Sequence, residues 1–143
     1  MARLYSGDDG FSALPVHGVL MPHFILDREM DLHRVAHELP RGVHRWRTAV
    51  LKVEEVWARP DALAVLIEGI VVEHSRAVHP VAIVATGRGS TSVRLWPRAP
   101  VERTPAVQRW LAVIAAALRG LGGGAVETTN VADEIVEDLA LNA

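Results

Sequence analysis

Residues 63–72 read Leu-Ala-Val-Leu-Ile-Glu-Gly-Ile-Val-Val, and this stretch decides the fold class. With a period of two, Val65, Ile67 and Val71 fall on one face of a strand and Leu66, Ile70 and Val72 on the other. Both faces are apolar. A strand of that kind is buried on two sides, unlike the one-sided alternation of a strand with a solvated face.

The flanking runs supply its neighbours. Residues 46–57 are rich in Val, Thr and Trp and are joined to residues 62–73 through Ala58-Arg59-Pro60-Asp61, with proline in a favoured turn position. A second hairpin joins 78–86 to 91–96 through Gly87-Arg88-Gly89-Ser90. Upstream, 16–26 is an apolar run interrupted by Gly18 and Pro22 and reads as an irregular edge strand, preceded by a loose N-terminal segment over 1–15.

Three helices complete the pattern. The clearest spans 104–121: Thr104 caps it, Pro105 suits its first position, and Val107, Trp110, Leu111, Ile114, Leu118 and Leu121 form one apolar stripe. Gly120 and Gly122 to Gly124 end it. A shorter helix over 28–39 is capped by Asp27, and another over 130–141 is capped by Asn130 with Asp133 and Glu134 in its first turn. A short extended piece at 125–128 precedes the last helix.

The expected architecture is α+β: an antiparallel sheet of about four to six strands, with the 104–121 helix packed along one face and the shorter helices beside it. An alternative has a curved sheet wrapping that helix around an apolar ligand cavity. The 143 residues form a single domain, 1–143, long enough to bury a core without disulfide or metal.

Composition narrows the function. The chain has no cysteine, which excludes thiol catalysis, disulfides and cysteine zinc sites. It has fourteen arginines but one lysine, Lys52, which leaves little scope for catalytic-lysine chemistry. The net charge of −2 is too balanced for a surface built throughout to attract nucleic acid or anionic lipid. That balance is uneven along the chain: residues 120–143 carry five acids and no base, leaving +3 for the remainder. The longest uncharged apolar run, 110–118, is about half a bilayer span, and the N-terminus does not read as a signal peptide, so the expected location is cytoplasmic with no membrane partner.

Two constellations carry chemistry. Five of the seven histidines fall in the first 44 residues. On the 28–39 helix, His33 and His37 lie one turn apart with Glu29 a turn before them, the spacing from which two imidazoles and a carboxylate reach one cation. His44, His17 or His23 would add a further ligand for zinc or a similar divalent ion, but neither His-Glu-x-x-His nor its inverse is present. Serine hydrolysis has little to stand on: Ser75 follows His74, yet there is no Gly-x-Ser-x-Gly elbow, and Ser90 and Ser92 belong to a hairpin turn. The Gly87–Ser90 loop lacks the lysine and following helix of a phosphate loop.

The second constellation is arginine beside every tryptophan: Arg45-Trp46-Arg47, Trp57-Ala58-Arg59, Arg94-Leu95-Trp96-Pro97-Arg98 and Arg109-Trp110. Trp110 belongs to the core stripe. In a strand over 91–96, Arg94 and Trp96 share a face opposite Val93 and Leu95. Trp96, Arg94, Arg98, Trp57 and Arg59 are therefore the candidate interaction surface, since Trp and Arg are the residues on which protein interfaces anchor. The primary expectation is a non-catalytic binding or protein-interaction module, homodimeric through the Trp96 side of the sheet. The alternatives are a histidine metal site with hydrolytic chemistry and a single-stranded nucleic-acid binder, the latter disfavoured by the acidic C-terminal segment.

Overall fold

The computed structural model describes residues 21–141. The 1–15 segment, the first part of the 16–26 run and His17 lie outside the described residues. In chain order the elements are β1 (His23–Leu26), α1 (Leu32–Glu38), β2 (Val43–Trp46), β3 (Ala49–Ala58), β4 (Ala64–Glu73), β5 (Arg76–Val78), β6 (Val81–Gly87), β7 (Ser90–Leu95), α2 (Pro105–Leu118), β8 (Val126–Thr129) and α3 (Asp133–Val136). A π-helical turn over Arg119–Gly123 continues α2.

Among the described residues eight strands form one antiparallel sheet in the order β2-β3-β4-β6-β7-β1-β8, curled into a half-barrel, with β5 beside the far end of β4. Strand β4 lies at the centre of this arrangement. Its first half pairs with β6 (Leu66 opposite Ile83), its second half with β5 (Val71 opposite Val78), and its whole length with β3. A bulge leaves Glu54 without a ladder partner between Val53, opposite Gly69, and Glu55, opposite Glu68. Such an extra residue bends the strand and raises the local twist, which favours curling over a flat layer.

The inner face is dry. Phe24, Leu26, Leu51, Val53, Ile67, Val71, Ala82, Val84, Val93 and Leu95 are all buried in one core, and helices α1 and α2 pack on β3 and β4, α2 also on β1 and β7. Helix α2 starts as its residues dictate: the Thr104 side chain accepts the Val107 N–H at 3.2 Å, and Pro105 needs no donor there. It is buried well beyond one stripe, with Ala112, Val113 and Ala115 buried alongside Trp110 and Leu111, because the curled sheet takes one side and α3 covers part of the other. Gly122, at φ +103, lets the chain leave the π turn.

The expected fold is corrected in three respects. The sheet is larger than four to six strands, the helices are short, and the longest helical run, nineteen residues with its π turn, sits within the curl and does not form a long helix layered on one face of an open sheet. The 28–39 helix contracts to α1, whose cap is Asp31, accepting from the N–H groups of His33 and Arg34. Asp27 accepts the Ala125 N–H at 2.9 Å and so helps secure the β1–β8 flank. The 130–141 helix contracts to the single turn of α3, without a side-chain cap. Asn130 instead binds the start of β1: its carbonyl accepts the His23 N–H and its amide donates to the Met21 carbonyl, both at 3.0 Å. Strand β1, expected at an edge, lies between β7 and β8.

Two arginines hold the acidic C-terminal segment against α2. Arg109 Nη1 donates to the carbonyls of Ile135 and Glu137 at 3.0 and 2.6 Å, and Arg119 donates to the carbonyls of Gly124 and Ala140. Burial pulls the Arg109 guanidinium below its ordinary value, opposed by Asp138 and Glu137 and reinforced by Arg47.

Candidate functional site

The outward face of the sheet follows from strand register. Residues directly opposite each other share a face, so Trp57, Leu66, Ile83, Arg94 and His23 form one row across β3, β4, β6, β7 and β1. The next row holds Glu55, Glu68 and Val81, and Trp96, whose N–H donates to the Val81 carbonyl, adjoins its end. Beyond it lie Lys52 with Ile70, then Val50 with Val72. Leu66, Ile70, Val72, Val81, Ile83 and Val50 are each half-buried, and Trp57 is 58% exposed. The two apolar faces of β4 thus have different fates. The inner one is filled by the core, and the outer one forms the middle of a surface with a tryptophan at each side.

The candidate interaction residues divide accordingly. Trp57, Arg94 and Trp96 take part in this face. Arg59 is drawn into the β3–β4 turn, pairing with Asp61 at 2.8 Å while Asp61 also accepts the Leu63 N–H. Arg98 is exposed in the turn after β7, where the Ala99 N–H returns to the Trp96 carbonyl. The other tryptophans face elsewhere. Trp110 is fully buried and donates to the Lys52 carbonyl at 3.0 Å; Trp46, half-buried, carries the Arg47 guanidinium 4.1 Å from its ring centroid and that of Arg109 at 5.5 Å.

Charge on the outward face is unevenly placed. Glu55 and Glu68 are exposed and stand directly opposite each other on β3 and β4, and neither has an ion-pair or hydrogen-bond partner among the described residues. Like charges in that position repel. Arg94 lies on the far side of Leu66 and Ile83. Sequence reading missed the carboxylate pair because the bulge at Glu54 decides which glutamate faces Glu68.

The proposed metal ligands do not converge. The Glu29 carboxylate accepts the Gly89 N–H at 2.7 Å and belongs to the β6–β7 turn. The His37 Nδ1 nitrogen is 2.8 Å from the His33 carbonyl of its own helix, with both residues exposed, and His44 stands on the outer strand β2. Among the described residues no group of three or more His, Asp or Glu is placed to hold a metal ion. His74 and Ser75 form the tight β4–β5 turn, both at positive φ, with His74 Nε2 3.8 Å from the Glu73 carboxylate. Ser90 donates within its turn to the Gly87 carbonyl.

No helix of the described residues is long and apolar enough to cross a membrane. Comparison with protein-family models, curated proteins and solved structures found no match.

Proposed function

We propose that this chain is a non-catalytic interaction module that works as a homodimer through the outward face of its sheet. The observation that carries the reading is the outer side of β4, where Leu66, Ile70 and Val72, with Glu68 between the first two, extend through Ile83, Val81 and Val50 into a half-exposed, mainly apolar surface beside an exposed Trp57. Contiguous apolar surface of this kind marks interaction sites, and Trp and Arg at its margin are the residues that anchor them. A curled sheet presents this side as a convex surface, so two copies touch along a stripe parallel to the strands. The Glu55–Glu68 pair repels phosphate, which weighs against single-stranded nucleic acid on the same face.

Sedimentation velocity across a wide range of protein concentration tests this. The sedimentation coefficient should rise with concentration for the native chain, and Leu66→Arg, which places a charge in the middle of the stripe, should abolish the rise while leaving the circular dichroism spectrum unchanged. A native chain that stays monomeric at the highest concentration refutes the proposal, and a salt-sensitive shift of an oligonucleotide would favour the nucleic-acid alternative.

A further inference from the structure

We infer that the open edge of β2 is a docking site for an extended acidic segment of another protein, which joins the sheet there as a further antiparallel strand. The backbone decides which groups are free. The Gly42 carbonyl accepts the Val53 N–H at 3.2 Å, so Gly42, His44 and Trp46 form the bonded pairs with β3. Val43 and Arg45 stand in the alternate pairs, with their N–H and C=O groups turned away from β3. Those four groups have no hydrogen-bond partner among the described residues. The strand carries none of the usual protection of an edge: it has no proline and no bulge, and Val43 is 60% exposed. The opposite edge of the sheet differs, because β8 bulges at Glu127.

Charge selects the occupant. Residues 41–53 contain Arg41, His44, Arg45, Arg47 and Lys52 and no acid, in a chain whose net charge is −2. Arg45 is exposed and carries no ion pair among the described residues. It shares the outward side of β2 with Val43, as their partners Val50 and Lys52 share that side of β3. An added strand therefore meets Val43 and Arg45 with residues two apart on one of its own faces, an apolar one beside Val43 and an acid beside Arg45. The backbone bonds to those two residues give affinity, and the two side chains give specificity. Two β2 edges pairing with each other would instead bring two arginines onto one side with no acid on either strand, so the edge discriminates against a second copy of itself. The site is separate from the outward-face dimer, whose apolar centre lies on β4 and β6.

Nuclear magnetic resonance titration of the full chain with the blocked peptide acetyl-Thr-Glu-Thr-Val-Thr-amide tests this. In antiparallel pairing its glutamate stands opposite Arg45 and its valine opposite Val43. The amide signals of Val43 and Arg45 should shift and exchange more slowly with solvent, and binding should weaken with salt. Replacing the peptide's glutamate with lysine, or methylating the glutamate nitrogen, should weaken binding by about tenfold or more. Arg45→Glu, which breaks no ion pair or hydrogen bond among the described residues, should reverse the preference between the acidic and basic peptides. Leu66→Arg should bind the acidic peptide as the native chain does. Shifts centred on Leu66 and Ile83 in place of β2, equal binding of the two peptides, or no binding at about 1 mM peptide would overturn the proposal.

Discussion

Replacing Gly69 with alanine tests the contact that seats α2 within the curled sheet. Gly69 is buried on the inner face of β4, opposite Val53 at the bulge, and Trp110 crosses directly over it. A Cβ added there lies 2.7 Å from Trp110 Cε2 and nearer still to Trp110 Nε1 and the Lys52 carbonyl oxygen. Carbon contacts are comfortable at roughly 3.5–4.0 Å, so the ring or the β3 backbone must retreat by about 1 Å. Neither yields easily, since Trp110 has no exposed surface and Lys52 is held in the ladder opposite Ile70. Overpacking of this kind costs about 1–3 kcal/mol. Withdrawal of the ring also breaks the Trp110 Nε1 bond to the Lys52 carbonyl and leaves both groups buried without partners, a further cost of about 1–3 kcal/mol. The expected loss is therefore about 2–6 kcal/mol, a large share of the roughly 5–15 kcal/mol that holds an ordinary domain together. At about 3–4 °C per kcal/mol for a chain of this size, Tm falls by about 6–24 °C. Urea and thermal unfolding followed by circular dichroism provide the measurement. A double-mutant cycle isolates the cause: with Trp110→Phe the indole nitrogen is gone, and the alanine penalty should shrink by at least about 1 kcal/mol. A Gly69→Ala penalty below about 1 kcal/mol, or one unchanged when combined with Trp110→Phe, refutes the account.

Three further outcomes are expected. Thr91→Val should cost about 1–3 kcal/mol in urea unfolding, because the buried Thr91 hydroxyl donates to the Arg28 carbonyl at 2.7 Å and valine cannot; no loss would mean that the loop after β1 is held by other contacts. Arg109→Ala should speed hydrogen exchange and proteolysis in 131–141 more than elsewhere, since it removes the contacts to the Ile135 and Glu137 carbonyls and leaves Arg119 to hold the segment at Ala140; uniform acceleration along the chain would contradict this. Zinc should shift the Tm of the native chain and of His33→Ala equally, whereas selective stabilisation of the native chain would re-establish a centre at His33 and His37.

Legibility in the sequence followed the strength of the local signal. The Thr104-Pro105 start of α2 was readable because cap and first-turn residues act within a few positions, and the two-sided character of β4 was readable from period alone. Strands β2 and β5 were not. They are joined to their neighbours by turns at Arg47-Thr48 and His74-Ser75, where Arg47, His74 and Ser75 adopt positive φ without the Gly, Asn or Asp that usually announces it. Missing them made the sheet too small, and the bulge at Glu54, which no residue signals, hid its curl. On the candidate site, the shared face of Arg94 and Trp96 followed from alternation along one strand. The alignment of Trp57 with Leu66, Ile83 and Arg94 depends on register across four strands, which local sequence does not encode. Polar residues were misassigned for a related reason. Asp27, Glu29 and Asn130 read as helix caps or a ligand, yet their partners Ala125, Gly89, His23 and Met21 are remote in sequence.

The position of β1 has a consequence for the order of folding. Strands β2, β3, β4, β6 and β7 pair as antiparallel neighbours close in sequence, so their pairings close short loops and can form early. Strand β1 pairs only with β7 and β8: Phe24 meets Val93 and Thr129, partners synthesised long after it. The first described strand must therefore wait for β7, and until β8 arrives the outer edge of β1 is open, with Phe24 and Leu26 above an unfinished core. During synthesis or refolding this flank is the aggregation-prone side of the molecule, and amides of β1 should be among the last to gain protection.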